Sequence, residues 1–145
     1  MIEANFTVPF VKCKGRVRFV RGSGMTYTPT ETTNAMAEIQ AAFLATKAPK
    51  APRGTEVFVD IHVFRHLPSS RPKRVESEPD LVKPDVDNIA KLVLDALNGV
   101  AWVDDTQVTE LSVAKHDRKR RDGDATKVRI WWFENRDAYI EEIGF

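Results

Sequence analysis

The chain has 145 residues and a formal net charge of +1; 42% of its residues are hydrophobic and 30% are charged. This balance is typical of one globular domain and argues against generic polybasic binding of nucleic acid. Cys13 is the single cysteine, so no internal disulfide is expected, which fits the reducing cytoplasm. The first residues contain Glu3 and no basic segment, and no apolar run could cross a bilayer. We therefore expect a soluble protein without a signal peptide or membrane contact.

The charges are unevenly distributed along the chain. Residues 12–21 contain five basic residues and no acid, and residues 115–121 contain five basic residues and one acid. Acidic residues concentrate in residues 76–80, 85–105 and 134–142. Separated patches of this kind can bind phosphates at one place and a metal ion at another. A charge run by itself usually indicates no more than a solvated loop, so the motifs must decide.

The first part of the chain predicts short strands and then a helix. Ile2–Val8, Val17–Val20 and Met25–Thr28 are expected to be strands. A helix is expected to begin at Thr28–Glu31 and to end before Pro49. Its apolar stripe consists of Ala35, Ile39, Ala42, Phe43 and Ala45.

The clearest strand pattern lies in Glu56–Phe64. Its first set of alternating residues is Val57, Val59, Ile61 and Val63, and its second is Phe58, Asp60, His62 and Phe64. Residues 66–84 contain four prolines and are predicted to form a long loop, which in compact domains is often functional. A second helix is expected over Val86–Asn98, with one buried face made by Ile89, Leu92, Val93, Ala96 and Leu97.

Two further strands are expected at Gln107–His116 and Thr126–Glu134. Consecutive aromatic residues at Trp131–Phe133 point to both faces of the last strand, so one face can join the core. The aromatic residues on the other face should also be shielded from water, and we expect a partner subunit to cover them. The sequence therefore predicts a single α+β domain over residues 1–145, with a mixed sheet, two main helices and a homodimeric assembly.

Acidic residues flank the second helix on both sides. Asp85 and Asp87 form a D-x-D pair at its entrance, and Asp104 and Asp105 follow shortly after its end. Clustered carboxylates repel one another unless a cation lies between them. Oxygen donors suit magnesium, manganese or calcium rather than zinc. Because the first residue of the D-x-D pair can be non-helical, both side chains can point to one place. The pattern therefore indicates a site for a hard metal ion.

A structural interpretation competes with the metal site. An aspartate at a helix start commonly caps the helix, with a contribution of about 1 kcal/mol, and Asp104 and Asp105 could cap a turn. For a lone D-x-D pair capping would be favoured, but the second acidic pair and Lys91 on the same helical face favour the metal site. Lys91 could also form an ion pair with Asp87 or Asp95, and for Asp95 that surface pair is the preferred interpretation.

The central motifs resemble those of the RusA family of Holliday-junction resolvases, whose pattern is D-x-D-N-x-x-K, a helix, and then D-D-x-Q. The matching segments are Lys83–Lys91, Asp95–Asn98 and Trp102–Val108. Upstream, Lys14–Phe19 and Tyr27–Pro29 resemble N-terminal motifs of phage and prophage members. The resemblance therefore extends over most of the chain.

The resemblance implies a magnesium-dependent endonuclease, with manganese as a substitute, that nicks four-way or other branched DNA symmetrically as a homodimer. By position, Asp85, Asp87 and Asp105 match the catalytic, metal-binding acids and Lys91 matches the essential lysine; Asp104 is an acidic neighbour placed in the metal-binding set. The expected DNA contacts are Lys12, Lys14, Arg16, Arg18, Lys83, Lys115, Arg118, Lys119, Arg120 and Arg121.

Two other functions remain compatible with these residues. A non-catalytic DNA-binding or scaffolding domain would use the basic segments and keep the acids only as caps. A metal-dependent hydrolase of a small phosphorylated substrate would not need the basic segments. His62, His66 and His116 form no recognisable metal-binding spacing, and His62, within a strand, is expected to be structural.

Overall fold

The computed structural model describes residues 1–16, 18–27 and 29–144. Its elements in chain order are β1 (Ile2–Val8), β2 (Arg18–Phe19), β3 (Thr26–Tyr27), α1 (Thr30–Ala45), β4 (Val57–Phe64), β5 (Ser77–Glu78), α2 (Val86–Leu97), a 3₁₀ turn (Asp105–Gln107), β6 (Val108–Lys115), β7 (Arg118–Lys119), β8 (Ala125–Trp132) and α3 (Arg136–Ile143). None of the described helices combines the length and apolar character needed to cross a membrane.

The main sheet is mixed. Over the described residues it has four strands in the order β1-β8-β4-β6, in which β8 runs antiparallel to β1 and β4, while β4 and β6 are parallel. A parallel pair needs a long crossover, and α2 lies in the connection between β4 and β6. The pairs β2–β3 and β5–β7 form two small antiparallel ribbons. The prediction of one α+β domain with a mixed sheet and two main helices is confirmed.

The hydrophobic core lies between one face of this sheet and the helices α1 and α2. Val57, Val59, Ile61 and Val63 of β4 are buried, as their alternation predicts, and each contributes about 1.5–3 kcal/mol by leaving water. On the other face of β4 the side chains are partly buried, except that Phe58 is buried and stacks on Trp131 with 5.5 Å between ring centroids. The face of the sheet away from α1 and α2 is called the outer face below.

Helix α2 follows its sequence pattern closely. All five predicted apolar residues are buried, and the helix ends at Leu97, because Gly99 adopts a φ of 79° that favours glycine. Asp87 and Lys91 lie on the exposed side of the helix. The helix therefore presents its charged face to solvent and fixes the acids at both of its ends.

Other elements differ from the sequence-based expectations. The ribbon β5–β7 forms inside segments predicted as loops, and α3 was not predicted. In α1, Ala45 of the predicted stripe is exposed. Val17 and Thr28, which belong to two predicted strands, lie outside the described residues. The shorter pairing at Arg18–Phe19 and Thr26–Tyr27 is what the structure shows for these strands.

Candidate active site

Asp85, Asp87 and Lys91 lie around the start of α2 and are exposed. Asp85 precedes the helix with an extended backbone (φ −73°, ψ 157°), and its side chain makes no capping hydrogen bond to the described helix. Asp87 is in the first turn and Lys91 is four residues further on. The capping interpretation is therefore not supported for Asp85, whose carboxylate stays accessible from solvent.

Asp104 begins the 3₁₀ turn that follows α2. Its Oδ1 accepts a hydrogen bond from the Thr106 N–H at 3.2 Å. In return, the side-chain oxygen of Gln107 accepts from the N–H groups of Val103 at 2.8 Å and Asp104 at 3.1 Å. This reciprocal arrangement is a capping box. Capping is thus the observed role of Asp104.

Asp105 is held by two hydrogen bonds. The indole Nε1–H of Trp102 donates to Asp105 Oδ1 at 2.8 Å, and the N–H of Asp105 donates to Oδ1 of Asn98 at 3.1 Å. The ring of Trp102 is completely buried, so it cannot turn without disrupting the core. A buried indole N–H usually finds an acceptor, and here that acceptor is a carboxylate in the proposed metal-binding set.

The charge on Asp105 is disfavoured by its surroundings. Burial raises the pKa of this carboxyl most, the hydrogen bond from Trp102 opposes the increase, and the negative charges of Asp95 and Asp104 raise the pKa further. Asp95, Asp104 and Asp105 are therefore electrostatically coupled at the C-terminal end of α2.

Asp95 has a different partner from the one expected. Its Oδ2 lies 2.7 Å from Nζ of Lys14 in the N-terminal basic segment. The preferred Lys91–Asp95 surface pair is therefore wrong, because a residue distant in sequence approaches the last turns of α2. This contact also connects a predicted DNA-binding lysine to the acidic cluster.

The proposed metal donors suit a hard cation, since all are carboxylate oxygens. Their placement is divided: Asp105 bonds to Asn98 at the end of α2, whereas Asp85 precedes the helix, and the axis of this twelve-residue helix is about 18 Å long. Among residues 1–16, 18–27 and 29–144, no three His, Cys, Asp or Glu side chains are grouped closely enough to hold a metal ion. Magnesium or manganese binding by Asp85, Asp87, Asp104 and Asp105 stays a prediction.

The N-terminal basic residues differ in their surroundings. Lys12 places its Nζ 4.8 Å from the centre of the Phe10 ring and is otherwise exposed, Lys14 is engaged as described above, and Arg16 is exposed. Arg18 is in β2, and its side chain lies outside the described residues. Of the DNA contacts predicted in this segment, Lys12 and Arg16 have described side chains that are exposed and could reach a DNA backbone.

Within the second basic segment, Arg118 and Arg120 have internal partners. The Arg118 guanidinium donates a short hydrogen bond to Glu78, which holds the pKa of that carboxyl below its ordinary value. Arg120 donates through Nε to the carbonyl of Val75 at 2.8 Å and through Nη2 to two carbonyls of the same loop, those of residues 71 and 72. These two arginines therefore help to fix the long loop, and their role in DNA binding stays a prediction.

The remaining predicted DNA contacts also divide into two groups. Lys115 Nζ donates to the carbonyl oxygens of residues 82 and 84, so it too has internal partners. Lys83, Lys119 and Arg121 are exposed. A DNA-binding role for these three stays a prediction, with side chains placed where phosphates could reach them.

Two histidines pair on the outer face of the sheet. His62 Nδ1 and His116 Nε2 are 2.7 Å apart, and His62 Nε2 is 2.9 Å from Oδ2 of Asp60. The ring of His116 also stacks on Phe64, with centroids 4.6 Å apart. This hydrogen-bonded chain agrees with a structural role for His62. The sequence does not reveal it, because His116 is 54 residues from His62 and directly follows a different strand, β6.

Sequence reasoning missed the residues that orient the acidic turn. Trp102 and Asn98 hold Asp105, and Gln107 Nε2 donates to the carbonyls of Pro52 and Thr55, each at 2.9 Å. The spacing W-x-x-D was a visible signal, because it places an indole within reach of the carboxylate across a tight turn. No local pattern indicates the anchoring of Gln107, which depends on a loop more than fifty residues away.

Comparison with known proteins gives two findings. The chain matches the family model described as "Endodeoxyribonuclease RusA" over residues 9–131. It is also 42% identical over 67 residues to "Uncharacterized protein YqaN" of Bacillus subtilis (strain 168); the match covers 41% of this chain and 47% of that relative, so it spans about half of the relative's length. The family match extends over most of the chain and includes Asp85, Asp87, Asp95, Asp104 and Asp105. The chain belongs to the RusA endodeoxyribonuclease family.

Proposed function

We propose that this protein is a metal-dependent endodeoxyribonuclease that resolves four-way DNA junctions by paired, symmetric nicks. The proposal rests mainly on the surroundings of Asp105. The buried Trp102 orients its carboxylate by a hydrogen bond, and its burial and the nearby negative charges of Asp95 and Asp104 disfavour its ionised form. A carboxylate kept in such a place gains stability when a cation neutralises it. The family match supports DNA cleavage as the use of that cation.

The chemistry requires neutralisation of negative charge. A phosphodiester is an anion, and more charge develops on its oxygens as the bond breaks. Bound Mg²⁺, or Mn²⁺ in its place, supplies positive charge and lowers the pKa of an attacking water. The proposed metal-binding acids are Asp85 and Asp87 before and in the first turn of α2, and Asp105, with Asp104 beside it, after its last turn; because α2 separates the two pairs, one ion held by all of them would require a change in this arrangement. Lys91, on the exposed side of α2 with Asp87, would stabilise the developing charge.

The exposed basic residues supply the DNA contacts in this proposal. Backbone phosphates would bind to Lys12, Arg16, Arg18, Lys83, Lys119 and Arg121. Such contacts give affinity that depends on salt and carries little sequence information. They therefore suit recognition of a branched shape.

We further propose a homodimer that forms through the outer face of the sheet. Trp132 is in the core, whereas Trp131 points to the outer face, where it stacks on Phe58 and under the Arg129 guanidinium at 4.3 Å. Two opposed strands must be nicked, and a two-fold dimer supplies two equivalent sites. The single Cys13 is free, which agrees with action in the cytoplasm.

The test compares a synthetic four-way junction with a duplex of matched sequence. Each substrate is incubated with Mg²⁺, with Mn²⁺ and with a chelator. We expect paired nicks in the junction with either ion, little cleavage of the duplex, and none with chelator. Binding without cleavage under all conditions would instead support a DNA-binding domain, and hydrolysis restricted to small phosphate esters would support the other alternative.

A further inference from the structure

A buried carboxylate lies in the long loop just before α2. The side chain of Asp80 has no exposed surface, and its Oδ2 has no hydrogen-bond partner among the described residues. Burying an ionised carboxylate is unfavourable unless positive charges and hydrogen bonds compensate for the lost water. The surroundings of Asp80 should therefore contain such compensation.

Two cations approach Asp80 from the sheet. Arg65 Nη1 is 3.8 Å and Lys115 Nζ is 3.7 Å from Asp80 Oδ1, which also accepts a hydrogen bond from the Val82 N–H at 3.4 Å. Arg65 directly follows β4, and Lys115 is the last residue of β6, the parallel neighbour of β4. Asp80 thus gathers two positive charges at the carboxyl ends of two adjacent core strands.

The same two cations also hold the backbone of the loop. Arg65 Nη1 donates to the carbonyl of Lys83 at 2.6 Å, and Lys115 Nζ donates to the carbonyls of Val82 at 2.5 Å and Pro84 at 3.1 Å. Three consecutive carbonyl groups are therefore fixed by charged donors, which make stronger hydrogen bonds than neutral ones. The residue that follows them is Asp85.

We propose that Asp80 is a positioning residue: with Arg65 and Lys115 it forms a clamp that holds residues 82–84 and thereby sets Asp85 and Asp87 for their ligand. We name this trio the Asp80 clamp. The inference rests on the proposed function, because Asp85 and Asp87 are its proposed metal-binding acids. Asp80 keeps the two cations together, and the cations transmit the rigidity of the sheet to the entrance of α2.

The test replaces Asp80 by asparagine, which keeps the shape and removes the charge. Glu3→Gln is the matched control, since Glu3 forms an ion pair with Arg129 on β8. Hydrogen exchange of the metal-free proteins is measured first. In Asp80→Asn we expect amide exchange in residues 82–89 to be at least about tenfold faster, because these residues can then open locally without breaking the contacts of the clamp. Exchange of the β4 and β8 amides should be unchanged. The control should show wild-type exchange in residues 82–89.

The second measurement is the Mg²⁺ concentration that junction cleavage requires. For Asp80→Asn, the Mg²⁺ concentration that gives half-maximal junction cleavage should rise about 10- to 100-fold, as is typical when support of a metal ligand is lost. Junction binding in chelator should stay within about twofold of wild type, because the exposed basic residues are untouched. A loss of general stability alone would not shift the Mg²⁺ requirement at temperatures well below unfolding.

Lys115→Met removes the second member of the clamp and keeps its aliphatic stem; it replaces Asp80→Asn if that variant does not fold. Exchange in residues 82–89 equal to wild type, or accelerated uniformly over the chain, would overturn the clamp. So would an unchanged Mg²⁺ requirement in a cleaving enzyme. If wild-type protein cleaves no junction, the proposed function fails, and hydrogen exchange alone decides whether the clamp orders the helix entrance.

Discussion

At the scale of single residues, the indole of Trp102 connects the hydrophobic core to the proposed chemistry. Trp102→Phe removes the hydrogen bond to Asp105 and keeps most of the buried ring. We expect junction cleavage to fall about 10- to 100-fold, because support of a metal ligand is lost, and the lost hydrogen bond alone to cost about 1 kcal/mol of unfolding free energy. Single-turnover cleavage and denaturant unfolding measure the two effects.

Trp132→Phe is the matched control, because Trp132 is equally buried but lies in β8. It should lose the stability that comes from the larger buried ring, without the further cost of a lost hydrogen bond to Asp105, and keep its cleavage rate. Equal activity of the two variants would mean that the orientation of Asp105 by Trp102 has no catalytic consequence.

The raised pKa of Asp105 predicts a dependence of stability on pH. An acid whose pKa is raised in the folded state binds its proton more tightly there than in the unfolded chain. Stability is therefore lost as the pH rises from the ordinary value of 3.8 through the raised pKa. In chelator at pH 7, Asp105→Asn should melt at a higher temperature than wild type, and the difference should shrink as the pH is lowered towards 3.8. A variant no more stable than wild type at pH 7 would contradict this electrostatic account.

At the scale of elements, the second basic segment separates into a structural part and a part facing solvent. If Lys119 and Arg121 each bind one phosphate, the double variant Lys119→Ala/Arg121→Ala should reduce the slope of log affinity against log salt by about 1.8. Lys50→Ala/Lys73→Ala removes two other exposed lysines and should leave the slope unchanged. Filter binding of a junction in chelator measures both, and identical slopes would show that this segment makes no phosphate contact.

Strands and helices with a strong local pattern could be predicted from sequence. The alternation in β4 and the apolar face of α2 predict which residues are buried, because side chains return to the same face every 2 residues in a strand and every 3.6 residues in a helix. The strands β5 and β7 have two residues each, which is too short for a repeat to be visible. They pair across the fold, where Arg118 contacts Glu78. The helix α3 has eight residues, and Arg136, Asp137, Glu141 and Glu142 among them are charged, so its apolar period is weak.

The acidic site was only partly predictable for the same reason. The motif identifies Asp85, Asp87 and Asp105 by spacing along the chain, but the contacts that orient them are made across it. Lys14 reaches Asp95, and Arg65 and Lys115 reach the loop before Asp85. Such contacts join residues from 18 positions apart (Arg65 and Lys83) to 81 positions apart (Lys14 and Asp95), where no periodicity connects them.

At the scale of the whole molecule, the outer face of the sheet predicts a dimer. Sedimentation at micromolar concentration should give about twice the 16.4 kDa of one chain. Trp131→Glu places a charge on that face and should shift the equilibrium towards monomer, whereas Leu44→Glu, at an exposed position of α1, should not. A wild-type monomer at all concentrations that still makes paired nicks would contradict the arrangement of two sites in one dimer.

The central claim is that the acids around α2 act in catalysis, and Asp87→Asn tests it most directly. This change keeps the shape and any capping ability of the side chain and removes one negative charge. With Mg²⁺, junction cleavage should fall by at least about 10²–10⁴-fold, while junction binding in chelator should persist or tighten, because a charge that repels phosphate is gone. A variant that binds and cuts junctions at nearly the wild-type rate would contradict the catalytic assignment and leave the D-x-D motif with a structural role.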